Sequence, residues 1–206
     1  DHRDLHSFPT RRSSDLSSEY ERVLLRDLFL ADSRLSGIYW RVESVGWLAL
    51  DACAYTSSEL ARCYDIVIRV GYAPMTLPDD SVLGKIVVGS VLHSIDACSY
   101  SLSVPEDFGL DYVPVVGGFS LTKDVSEAVK LWPRTSAVVY DSVLQGIYGA
   151  TRCLSEGTFI SAVYMGVVDP LRQEFDLTSF QQMSLLVSNL DGLADVAVRL
   201  VLSIVD

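Results

Sequence analysis

Lysine, histidine and asparagine are scarce in this 206-residue chain, which holds three lysines, three histidines and one asparagine, Asn189. The four cysteines, Cys53, Cys63, Cys98 and Cys153, form no Cys-x-x-Cys pair, and His93 is the single histidine beyond residue 16. A zinc centre built from Cys and His therefore lacks its ligand set, and no metal or other cofactor is expected. No basic run occurs and the net charge is −11, so the clustered cations that neutralise nucleic-acid phosphates are missing. No apolar stretch approaches the roughly 20 residues of a membrane-spanning helix. The longest are interrupted by Lys85, His93 and Asp96, or by Asp195 and Arg199. A Walker-type phosphate loop is absent, and Gly118-Phe119-Ser120 is only a fragment of the G-x-S-x-G elbow that presents a nucleophilic serine.

Residues 1–16, DHRDLHSFPTRRSSDL, resemble at all sixteen positions the in-frame translation of a short-read sequencing adapter. The resemblance implies that they are an artefact outside the fold and that the sequence is of environmental, metagenomic origin. Arg3, Arg11 and Arg12 cancel Asp1, Asp4 and Asp15, so the net negative charge belongs to residues 17–206. With no initiator Met, that remainder is expected to be one globular domain truncated at either end. Its thiols are expected to be free in a reducing compartment, because a chain this long needs no disulfide framework.

Half of the chain is present as apolar residues, 49% by composition. Ser18 with Glu21 forms a capping box, and Val23, Leu24, Leu28 and Ala31 then share one face, predicting a helix over 19–31. YDIVIRV (64–70), closed by Gly71 and Pro74, predicts a buried strand. Pro78-Asp79-Asp80 predicts the start of a helix over 79–97 carrying Val82, Leu83, Ile86, Val87, Leu92 and Ile95. Residues 100–120, with Pro105, Pro114 and Gly117-Gly118, suggest a hairpin or edge strands. A helix over 136–154 is expected to turn Tyr140, Val143, Leu144, Ile147 and Tyr148 inward and Asp141, Ser142, Gln145 and Arg152 outward, with Gly146 and Gly149 admitting a close neighbour. TFISAVYMGVV (158–168) fits a strand or a buried helix. Ser179 with Gln182 caps a helix to Leu190, Asp191-Gly192 breaks it, and Leu193, Val196, Ala197, Leu200, Val201 and Ile204 form a second arm. The expected fold is thus a single helix-rich α+β domain ending in a helical hairpin.

Candidate chemistry centres on His93, with Asp96 three residues on and Cys98 or Cys63 as possible thiols. On the expected helix, His93 and Asp96 are explained more simply as a hydrogen-bonded surface pair. Asp79-Asp80 and Glu106-Asp107 offer carboxylates for a cation, although a helix cap and a solvated turn account for them. Tyr39, Trp40 and Trp47 suggest core packing, a ligand platform or an interface anchor, and a nucleic-acid reading requires Arg22, Arg26, Arg34 and Arg41 to gather in one stripe. The surplus of apolar residues favours a homo-oligomer. The leading expectation is a non-enzymatic structural or interaction protein that self-associates, of virus- or phage-assembly type, cytoplasmic or virion-associated. The alternative is a hydrolase-type enzyme using His93, Asp96 and a Cys or Ser nucleophile.

Overall fold

A computed structural model describes residues 13–42, 52–53, 56, 64–74, 84–94, 98–105, 108–118, 139–154, 157–167 and 179–205. Helix α1 (Ser13–Ala31) leads through a 3-10 turn (Ser33–Leu35) toward strands β1 (Ile66–Pro74), β2 (Ile86–Ser94), β3 (Ser99–Ser101), β4 (Asp111–Gly117) and β5 (Val139–Tyr140). Helix α2 (Ser142–Leu154), strand β6 (Phe159–Val167) and helix α3 (Ser179–Val205) complete the described elements. The six strands form one mixed sheet in the order β1-β6-β2-β4-β5, with β3 attached to β2. β1 with β6, β2 with β4, and β4 with β5 run parallel, whereas β2 meets β6 and β3 antiparallel. The sheet curls, so that β1 and β5 touch although they lie at opposite ends of the pairing order.

This α/β architecture replaces the expected helix-rich α+β fold, and the largest difference is at 79–97. Within that stretch Ile86–Ser94 is a strand, inserted between β6 and β4. Val87 packs to one side of the sheet and Val88 to the other, both at 0% exposure. A strand covered on both faces loses the polar alternation that would reveal it, and its apolar spacing imitates a helix. β4 is likewise internal, despite Pro114, whose nitrogen has no hydrogen to donate. The β2–β4 register slips between Gly89 and Val91, where Val91 pairs with Pro114. The carbonyl of Ser90 instead accepts from Leu102 N at 3.2 Å.

Two layers of core flank the sheet. On one face Ile160, Ala162 and Tyr164 of β6 meet Val143, Leu144, Ile147 and Tyr148 of α2. On the other, Val163 and Met165 meet Leu193, Val196 and Leu200 of α3. The alternation along β6 thereby assigns Phe159–Val167 to a strand. α3 also holds α1, through Leu190 and Ala194 against Leu25.

The expected terminal hairpin is instead one unbroken helix of 27 residues. Gly192 lies inside it, and a Cβ at that position would fall 2.6 Å from Ile86 Cδ1. The glycine lets α3 approach β2 and does not end the helix. Its polar stripe anchors neighbouring segments: Asp195 pairs with Arg34 at 2.8 Å, and Arg199 caps the Phe108 carbonyl at 2.9 Å while lying over that ring.

Candidate active site

The first turn of α2 carries the most unusual polar chemistry of the described residues. Asp141 follows β5 and caps the helix, its Oδ1 accepting from Val143 N at 2.8 Å and Leu144 N at 3.1 Å. Its own N–H donates to the Val116 carbonyl, which ties the cap to β4. Its Oδ2 accepts from Arg69 Nε at 3.1 Å, and the two side chains are only 3% and 17% exposed. Arg69 is thus the device by which β1, the far end of the sheet, is fastened to the head of α2. The Arg69 Nη1 also donates to the Val70 carbonyl, and the guanidinium folds over Gly71, where any Cβ would strike it.

Tyr164 comes to the same place from β6 and is fully buried. Burial first, and then the nearby Asp141 charge, hold its hydroxyl well above the usual phenol range, with Arg69 acting in the opposite sense. One turn beyond Asp141, Gln145 is 9% exposed and its Oε1 rests against Gly117 at the end of β4. The expectation that Asp141, Ser142 and Gln145 face solvent is therefore corrected: all three are buried, and only Arg152 of that set is exposed. A helix N-terminus with a carboxylate, a guanidinium, a phenol and an amide converging on it can bind hydroxyl donors and hold a charge that develops on a bound ligand. Sequence reasoning missed Arg69, Asp141 and Tyr164. The available signal was Arg69, the one charge within the apolar strand Ile66–Pro74.

The residues singled out from the sequence lie elsewhere. His93 is on β2, not on a helix, and its Nδ1 is 2.8 Å from Ser99 Oγ across the β2–β3 pairing. Burial holds its imidazole below the ordinary pKa. Cys98 is exposed and in no disulfide among the described residues, between the end of β2 and the start of β3, whereas Asp96 and Cys63 lie outside the described residues, as do Asp79-Asp80, Glu106-Asp107 and Trp47. Tyr39 is 81% exposed and stacks on Tyr64 at 6.3 Å, while Trp40 meets Phe29 edge-on. Arg26 turns to Asp27, and Arg34 to Asp32 and Asp195, so these cations are committed to carboxylates. Gly149 has open space where a Cβ would point, so no close neighbour requires it. Among the described residues no group of His, Cys, Asp and Glu could hold a metal, and no helix is long and apolar enough to cross a membrane.

No protein-family model and no curated protein sequence matches the chain. Solved structures do. The 5'-methylthioadenosine nucleosidase of Arabidopsis thaliana superposes with a TM-score of 0.56 at 14% identity, over 80% of this chain and 72% of that one. The uridine phosphorylase of Vibrio fischeri ES114 gives 0.58 at 17%, over 77% and 72%. The 5'-methylthioadenosine/S-adenosylhomocysteine nucleosidase of Neisseria meningitidis gives 0.54 at 16%, over 78% of each. These matches overturn the expectation of a non-enzymatic structural or interaction protein of virus- or phage-assembly type. They fit the hydrolase alternative better. Ser13–Leu16, the end of the adapter-like stretch, form the first turn of α1. The chain has the mixed α/β fold of the methylthioadenosine nucleosidases and uridine phosphorylase.

Proposed function

We propose that this chain is a hydrolase-type enzyme that cleaves the N-glycosidic bond of a nucleoside, with Asp141 as the carboxylate that receives the sugar hydroxyls. The observation that carries this reading is a carboxylate 3% exposed at a helix N-terminus, oriented by Arg69, in a nucleosidase-like fold. Sugar hydroxyls are donors, and hydrogen bonds from them to a buried carboxylate are charge-assisted. As the bond from C1' to the base nitrogen breaks, positive charge grows on the sugar, and a fixed negative group close by stabilises it. A water oxygen then bonds to C1', and the base leaves with a proton.

Incubation of the purified chain with methylthioadenosine, adenosine, inosine and uridine, with and without phosphate, tests the reading. Free base and free sugar are expected without phosphate, and Asp141→Asn is expected to lower the rate by about a hundredfold or more. Release of no base from any nucleoside overturns it, and release that requires phosphate and yields a sugar phosphate replaces hydrolysis by phosphorolysis. The His93–Ser99 contact supports a second catalytic set, His93 with Asp96 and a Ser or Cys98 nucleophile. Loss of activity in His93→Ala with retention in Asp141→Asn would select it.

Exposed Leu30, Tyr39 and Val205, at 68%, 81% and 58%, support a homo-oligomer, which light scattering checks. The free thiols of Cys53 and Cys153 support a cytoplasmic location.

A further inference from the structure

Arg69 and Gly71 stand on one face of β1, two residues and about 6.6 Å apart along the strand. That face is turned toward α2: Val67, the position before them on it, packs with Val143, Leu144 and Ile147, whereas Ile68 and Val70 pack on the opposite side of the sheet. A long side chain standing upright at 69 would drive its charge into the α2 layer. Arg69 instead lies along the strand. Its Nε donates to Asp141 Oδ2 at 3.1 Å, its Nη1 donates to the Val70 carbonyl, and the guanidinium covers the next position on the face, residue 71. A Cβ there would strike Nη1 and lie 3.2 Å from both Cζ and Nη2. A guanidinium held at Nε and at Nη1 cannot lift off residue 71 without lengthening one of those bonds. Gly71 is itself buried and pairs in register with Tyr164, so the strand offers no slack beneath it.

We propose that Gly71 is a positioning residue of the candidate site and acts through Arg69: its bare Cα is the seat in which the guanidinium lies, and that seat fixes the direction of Asp141 Oδ2. The inference rests on the nucleosidase reading for the part that Asp141 plays in the reaction. A methyl group at 71 pushes the guanidinium off the strand and stretches its bond to Asp141. The carboxylate then keeps Val143 N and Leu144 N on Oδ1 and loses the donor that orients Oδ2. A small misplacement of a group that stabilises developing charge lowers the rate of the chemical step more than it weakens binding.

The test is a double-mutant cycle of Gly71→Ala and Arg69→Met in the full chain, read by nucleoside cleavage and by urea unfolding. With Arg69 present, Gly71→Ala is expected to lower kcat about tenfold or more and to change KM by less than about threefold. In the Arg69→Met background no guanidinium fills the seat. There the same substitution is expected to have an effect at least about fivefold smaller, both on kcat and on the unfolding equilibrium constant. Equal factors in the two backgrounds overturn the inference, since the need for glycine would then lie in the backbone or in a ligand that touches residue 71 directly. Wild-type kcat and stability in Gly71→Ala overturn it as well. If Gly71→Ala does not fold, recovery of folding on adding Arg69→Met supports the inference, and failure in both backgrounds overturns it. Cleavage by wild type with equal factors in the cycle defeats this inference and leaves the proposed function standing. Absence of cleavage by wild type, with the unfolding effects still coupled, does the reverse.

Discussion

Replacing Arg69 by Met is expected to destabilise the protein by about 3 kcal/mol, because it leaves Asp141 buried without its countercharge. The magnitude follows from the geometry. At 3.1 Å and with exposures of 17% and 3%, the pair is shielded from water, and removal of one partner of such a pair costs about 3 to 5 kcal/mol. The lower end applies, since Oδ1 keeps its two donors, Val143 N and Leu144 N. Asp141→Asn removes the charge and retains a side chain able to cap, so its cost should be similar or smaller. The double variant removes both charges and should return to within about 1 kcal/mol of wild type, since neutral replacements of buried pairs are often close to neutral. Urea unfolding followed by circular dichroism gives the three free energies, and the coupling should be roughly 2 kcal/mol or more. In melting experiments the Arg69→Met loss corresponds to roughly 6 to 12 °C for a chain of this size. If Arg69→Met costs under about 0.5 kcal/mol, or the two single effects simply add, the pair does not fasten β1 to α2 and the reasoning is wrong.

Two further predictions probe other parts of the fold. With Ile86 shortened to Val, which removes the Cδ1 that a Cβ at Gly192 would strike, Gly192→Ala should raise stability by about 0.5 to 1 kcal/mol, the gain of alanine over glycine inside a helix. Thermal unfolding of the double variant against Ile86→Val alone decides it, and a loss would mean that α3 is interrupted at 192. Burial depresses the folded-state pKa of His93 below the ordinary 6.5, so the unfolded chain binds the proton more readily. This contribution to stability is therefore whole above about pH 6.5 and is lost as the pH falls toward the folded pKa. His93→Gln should flatten that part of the stability profile between about pH 7 and 5, and an unchanged slope would refute the assignment.

Some elements were legible locally. The helix over 19–31 follows from its 3.6-residue period, and α1 contains it, but α1 begins at Ser13, so Ser18 lies within the helix and does not cap it. The strand in YDIVIRV follows from β-branched residues closed by Gly71, and β1 contains most of it. β2 was illegible for a specific reason. IVVGSVLHS satisfies a helical spacing and is also β-branched, and the choice depends on β4 and β6 offering hydrogen bonds on both sides. The Asp191-Gly192 pair is an ordinary turn signal, and its meaning changed because β2 needs α3 close by. The candidate site was hidden in the same way: Asp141 and Gln145 look like the wet face of an amphipathic helix until the curled sheet covers them.

The chain by itself determined the local propensities, the scarcity of metal ligands and basic clusters, and the abundance of apolar residues that a core needs. Tertiary structure decided which strands adjoin, which glycine breaks a helix and which admits a neighbour, and which charges are buried. The physical reason is separation along the chain. Arg69 and Asp141 stand 72 residues apart and are joined only because the sheet curls, and no period, cap or turn signal spans that distance.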